Sequence, residues 1–124
     1  MHRLDKDTSG LMIVAKTQKA MQHFQNLFKQ KTDKGLAGED FEGLEKFYRA
    51  VVKADGQGKK FLEQAKVPFV IDEVVRPKNL PVAQHKRGVT VIEEARDLGN
   101  DLYFLNLKIL TGRTHQIRYH LASK

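Results

Sequence analysis

The chain has 124 residues, no cysteine and a formal net charge of +7. The length suits one domain, and the missing cysteine excludes disulfides and thiolate metal sites. An excess of 22 Lys and Arg over 15 Asp and Glu suits a polyanion such as nucleic acid, although a merely basic, soluble surface accounts for the charge equally well. No apolar run reaches the ~18 residues of a membrane span. His2, Arg3, Asp5, Lys6 and Asp7 occupy the place of a signal peptide's apolar region, so a cytoplasmic protein is expected.

The first element is LMIVAK, residues 11–16, an almost continuous apolar run that reads as a strand buried on both faces. Thr17 stands where a helix cap belongs, and Ala20, Met21, Phe24, Leu27 and Phe28 then recur at helical spacing as one core-facing stripe. KTDKGLAGEDFEGLE, residues 31–45, mixes three glycines with acids and reads as an exposed loop or insertion. KFYRAVVKA, residues 46–54, is rich in aromatic and β-branched side chains and reads as a strand. DGQGKK, residues 55–60, has the chemistry of a turn. Residues 67–87 hold all three prolines and should be extended or irregular, near a sheet edge. VTVIEEARD and LYFLNLKIL flank LGND as an antiparallel hairpin. Tyr103, Leu105, Leu107 and Ile109 alternate there with Phe104, Asn106, Lys108 and Leu110. A short helix closes the chain, beginning near Arg113 with Thr114 as its cap and with Ile117 and Leu121 on one face. The order of strand, helix, several strands and helix predicts an α+β fold with a mixed, mainly antiparallel sheet and flanking helices. Both ends are abrupt, which suggests structure missing on either side.

Three segments carry candidate chemistry. In HRLDKDTSGL, Gly10 can end a tight loop, Thr8 and Ser9 can satisfy its amides, and Asp5 is presented at the loop beside Arg3 and His2. An ordinary polar turn has the same composition. In KFYRA, alternation places Lys46, Tyr48 and Ala50 on one face and Phe47, Arg49 and Val51 on the other. Tyr48 can be plain packing, a stacking platform for a base or a proton carrier. TGRTHQIRYHL gathers Arg113, His115, Gln116, Arg118 and His120 into a dense donor cluster. Its two histidines are five apart rather than the four of a helical two-histidine zinc site, so no metal is expected.

HRLDKDTSGL, KFYRA and TGRTHQIR, in this order, resemble the three signature segments of the RluA-type family of RNA pseudouridine synthases. The resemblance spans most of the chain. It implies a cofactor-free isomerisation of uridine to pseudouridine in structured RNA, ribosomal or transfer, by a monomer. The N1–C1′ bond breaks, the uracil turns, and C5 joins C1′. By the same resemblance Asp5 is the catalytic aspartate, Arg118 its arginine partner, and Tyr48 the tyrosine that stacks on the uracil and moves a proton at C5. Arg3 helps hold the flipped nucleotide and Ile117 lies beside the base. His2, Arg113, His115 and Gln116 complete the expected RNA-contacting set. The chemistry is coherent, because cleavage at C1′ develops positive charge on the sugar that a carboxylate can stabilise or trap. In a dry pocket a neighbouring guanidinium favours the ionised acid. The target base must leave its stack to be reached.

The chain departs from the family pattern in lacking a strand before HRLD, the sheet and helix that follow THQIR, and the N-terminal RNA-binding domain many members carry. Residues 33–44 resemble an expanded loop. Residues 1–124 are therefore expected to be part of a catalytic domain. Two rivals remain. A non-catalytic RNA-binding module would use Arg3, Tyr48, Lys86, Arg87 and Arg113 for phosphate and stacking contacts. A glycosidase would pair Asp5 with Asp7, but it would lack an aromatic sugar platform.

Overall fold

A computed structural model describes residues 2–37 and 44–124, with side chains described for 2–29 and 44–124. The chain divides into two compact units, residues 1–44 and 45–124.

In the first unit a tight turn is closed by the Thr8 N–H donating to the Asp5 carbonyl at 3.0 Å. Gly10 follows at φ +145°, a region L side chains rarely adopt, with open space where a Cβ would sit. Residues 11–16 are not a strand. Leu11 is 95% exposed and Val14 78%, which corrects the expectation of a strand buried on both faces. A continuous apolar run is suited to a buried strand, but a strand exists only where a neighbour pairs with it, and no strand of the described residues does so. Helix α1 spans Gln18–Ala37. Thr17 caps it as expected, its Oγ1 accepting from the Ala20 N–H at 3.1 Å. Met21, Phe24, Leu27 and Phe28 are half-buried. The helix runs seven residues into the segment expected to be a loop, because one interior glycine costs a helix only ~1 kcal/mol and no proline stops it. The rest of that expected loop, residues 38–43, lies outside the described residues.

The second unit is built on a four-stranded antiparallel sheet. Its strands are β1 (Lys46–Lys53), β2 (Phe69–Val75), β3 (Lys86–Gly99) and β4 (Leu102–Ile109), in the order β1-β4-β3-β2. Helices α2 (Gly56–Gln64) and α3 (Gln116–Ala122) accompany it. This is the α+β architecture with flanking helices that the element order predicts. The hairpin turns at Asn100 and Asp101, with φ of 53° and 60°. Two positive angles in a two-residue loop make the turn whose twist suits the flanking strands. Alternation sends Tyr103, Leu105, Leu107 and Ile109 inward, all buried. A bulge at Glu93 lets Ile92 and Ala95 face the same core against Leu107 and Leu105.

Residues 56–64 form a helix where the sequence suggests turn chemistry. Two glycines make a poor helix by propensity. Phe61 and Leu62 pack against the core, and Phe61 meets Phe69 edge-to-face at 4.9 Å, so tertiary burial outweighs local preference. The proline-rich stretch behaves as expected: β2 is an edge strand, and a single 3-10 turn, Val82–Gln84, leads into β3. Among the described residues no helix is long and apolar enough to cross a membrane.

Candidate active site

The site residues expected from the sequence fall into both units. Asp5 is half-buried in the turn it helps to close, and Arg3 is exposed beside it. The His2 ring stacks on Phe28 at 5.0 Å. Its Nε2 accepts the Ile13 N–H at 2.8 Å, so the ring proton sits on Nδ1, and His2 braces the loop against the extended segment after it.

Tyr48 occupies the inward face of β1, where its strand partner is Leu107. Burial alternates along β1 as predicted, with Lys46, Tyr48 and Ala50 sheltered and Phe47, Arg49 and Val51 exposed. Tyr48 and Ile117 both pack against the cluster formed by Ile71, Ile92, Leu105 and Leu107. Lys46 shares the face of Tyr48, and burial pushes its ammonium below the ordinary 10.5. Its Nζ lies 2.9 Å from where a Cβ on Gly112 would stand. The sequence places Lys46 on this face without giving it a role; the missing signal is its approach to Gly112, more than sixty residues away in the chain.

α3 starts at Gln116 rather than near Arg113, and His115, not Thr114, takes the cap position. His115 is exposed and left-handed at φ 51°, ψ 30°, a conformation that costs an L residue roughly 1–2 kcal/mol. The turn into the helix is thus made at His115. The loop is held from within. Thr111 Oγ1 accepts the Val89 N–H at 2.9 Å and donates to Gln116 Oε1 at 2.6 Å. The Arg113 N–H donates to the same Oε1 at 3.1 Å, and the Arg113 Nε donates to the Arg87 carbonyl at 2.8 Å. Gln116 is 3% exposed, and its amide nitrogen donates to the Val89 carbonyl and Thr90 Oγ1. Arg118 stands exposed on α3. The structure therefore gathers Arg113, His115, Gln116, Ile117 and Arg118 on one loop and helix, and seats Tyr48 on the sheet face against which Ile117 packs.

Two other basic side chains drawn from the sequence find different places. Arg87 pairs with Asp72 through two hydrogen bonds of 2.6 and 2.5 Å, which hold the carboxyl below its ordinary range. His120 is wholly buried between Thr90 and the Glu73 carbonyl.

Comparison with known proteins gives a match of residues 1–123 to the family model described as RNA pseudouridylate synthase. Among curated proteins, the chain is 34% identical to the ribosomal large subunit pseudouridine synthase C of Vibrio parahaemolyticus, over 97% of this chain and 33% of that protein. It is 32% identical to an uncharacterized RNA pseudouridine synthase of Aquifex aeolicus, over 99% of this chain and 35% of that protein. It is also 34% identical to the ribosomal large subunit pseudouridine synthase D of Zymomonas mobilis, over 99% and 35%. The chain thus spans about a third of the length of these curated relatives. No solved structure matches it.

Proposed function

The chain belongs to the RNA pseudouridylate synthase family, and from that membership we propose that it carries the catalytic part of an enzyme that isomerises uridine to pseudouridine in RNA. Large-subunit ribosomal RNA is the substrate class, by analogy with the relatives named for it, and the cytoplasm is the compartment. Asp5 is the catalytic acid. Arg118 is the catalytic arginine that acts with it. Tyr48 stacks on the uracil and carries the proton that leaves C5. Arg3, Arg113, His115 and Ile117 serve the flipped nucleotide, and His2 holds the loop that carries Asp5.

The reaction is a rearrangement without net loss or gain of atoms. The N1–C1′ bond breaks, C5–C1′ forms, C5 gives up its hydrogen, and N1 takes a proton. A carboxylate can serve it by attack at C1′, by addition to the ring or by deprotonation of the sugar, and all three routes need Asp5 ionised. The observation that carries the proposal is the family match over residues 1–123, together with the intact HRLD, KFY and THQIR segments in their order.

Release of tritium from RNA labelled at uridine C5 tests it directly. The chain should release tritium, and Asp5→Asn should abolish release while RNA affinity stays within about twofold, because the substitution preserves shape and removes only the charge. Turnover by Asp5→Asn at the wild-type rate would overturn the assignment. RNA binding by the unaltered chain with no release would leave the rival reading, a binding module.

A further inference from the structure

Gln116 and His120 lie one helical turn apart on α3, and both are buried, at 3% and 0% exposure. With a neutral imidazole their hydrogen bonds admit one assignment of donors. His120 Nε2 is 3.1 Å from the Glu73 carbonyl oxygen, which only accepts, so Nε2 carries the proton. Nδ1, 2.8 Å from Thr90 Oγ1, then accepts, and the Thr90 hydroxyl donates to it. The lone pairs of that hydroxyl take the Gln116 amide at 2.9 Å. A flipped Gln116 amide would set its oxygen against the Val89 carbonyl and its NH2 against the Arg113 N–H, so the observed orientation is the satisfied one. Donors therefore run in one direction, from Thr111 through Gln116 and Thr90 to His120 and the Glu73 carbonyl.

We propose that Thr90, Gln116 and His120 are positioning residues that fix the rotation and height of α3 on the sheet, and so set Arg118 for catalysis. The inference rests on the function proposed above. A seven-residue helix is too short to hold itself, so its setting comes from tertiary anchors. α3 has two adjacent anchored faces. Gln116 and His120 form the polar one, and Ile117 and Leu121, packed against the core, form the apolar one. Arg118, roughly 200° around the helix from Gln116, is left on the exposed side. Close approach is built in at Gly88. A Cβ there would lie 2.8 Å from Val75 Cγ2, 3.2 Å from His120 Cε1 and 3.3 Å from Gln116 Cδ. A buried polar network of this kind is satisfied in one geometry only. An apolar contact alone would let the helix slide.

Thr90→Val keeps the shape of Thr90 and deletes the hydroxyl, while Thr90→Ser keeps the hydroxyl. In single-turnover pseudouridine formation, Thr90→Ser should stay within about threefold of wild type. Thr90→Val should slow the reaction about tenfold or more with RNA affinity changed less than about threefold, because displacement of a catalytic group costs rate rather than binding. Should Thr90→Val fail to fold, Gly88→Ala, whose Cβ would crowd Val75 as well as His120 and Gln116 of α3 while leaving every hydrogen-bonding group in place, should show the same split. Nitrogen NMR reads the structural half without any activity: His120 should be protonated at Nε2 with Nδ1 accepting, and α3 amides should exchange faster in Thr90→Val than in Thr90→Ser. Equal rates for the Ser and Val variants, or α3 exchange unchanged in Thr90→Val, would overturn the proposal. Absence of turnover in the wild-type chain would instead count against the function, and the NMR result would still decide whether the clamp exists.

Discussion

Arg118 and Tyr103 show how differently a single side chain can be placed. Arg118 is exposed on a helix whose neighbouring side chains are committed to packing and hydrogen bonding, which frees it for a partner that must be gripped. A guanidinium offers a planar fork to a carboxylate and a lysine offers a point charge. Arg118→Lys should therefore retain RNA binding and lower the rate of pseudouridine formation about tenfold or more, measured by tritium release. Tyr103 is the opposite case. It is 4% exposed, and its hydroxyl has no hydrogen-bond partner among the described residues. Burial pushes the phenol up from its ordinary value, and the Asp97 carboxylate adds to the shift. A buried hydroxyl without a partner forfeits its hydration and gains nothing in return. Tyr103→Phe should match or exceed wild type in urea midpoint, and a clear loss would reveal a hydrogen bond to water at that oxygen.

Elements that the sequence described well are those whose period is imposed by one neighbouring layer. β4 alternates strictly because one face meets the core. The stripe of α1 repeats every three or four residues, and its Met21, Phe24, Leu27 and Phe28 are half-buried. The sequence reads as a turn at α2 because two glycines speak for one, while the reason for its helix lies in Phe61 and Leu62 and in the core they pack against. Phe61→Ala should cost about 2–3 kcal/mol, somewhat below a fully buried Phe, read by urea denaturation. Gly58→Ala, whose added Cβ would meet only ordinary contacts of 3.7 and 3.9 Å, should not destabilise.

At the scale of the molecule, charge sets two expectations. Asp72 is held below its ordinary 3.8 first by the Arg87 hydrogen bonds, and Glu73 below 4.5 first by Lys124. A carboxyl whose folded value is depressed stabilises the fold fully above its unfolded value, and that contribution fades as pH falls through the lower folded one. The urea midpoint should be flat from neutrality down to about pH 5 and decline below about pH 4. The decline should be shallower in a variant lacking Arg87 and Lys124. These pairs are exposed or partly so, so the effect is modest and weakens in salt. If RNA is the partner, as proposed, the net charge of +7 should make its affinity fall steeply with salt as released counterions lose their entropic advantage. A salt-independent affinity would contradict a phosphate-dominated interface.

The sequence by itself determined the α+β class, the antiparallel hairpin, the two faces of KFYRA and the family, because each is written in local periodicity or in contiguous motifs. Only the tertiary structure decided that residues 11–16 lie unpaired, that residues 56–64 are helical, that His115 takes the left-handed turn, and that Gln116 and His120 point inward to Thr90. Each of these depends on partners some eight to fifty residues distant, and a one-dimensional pattern records a side chain's character without recording which distant group will satisfy it.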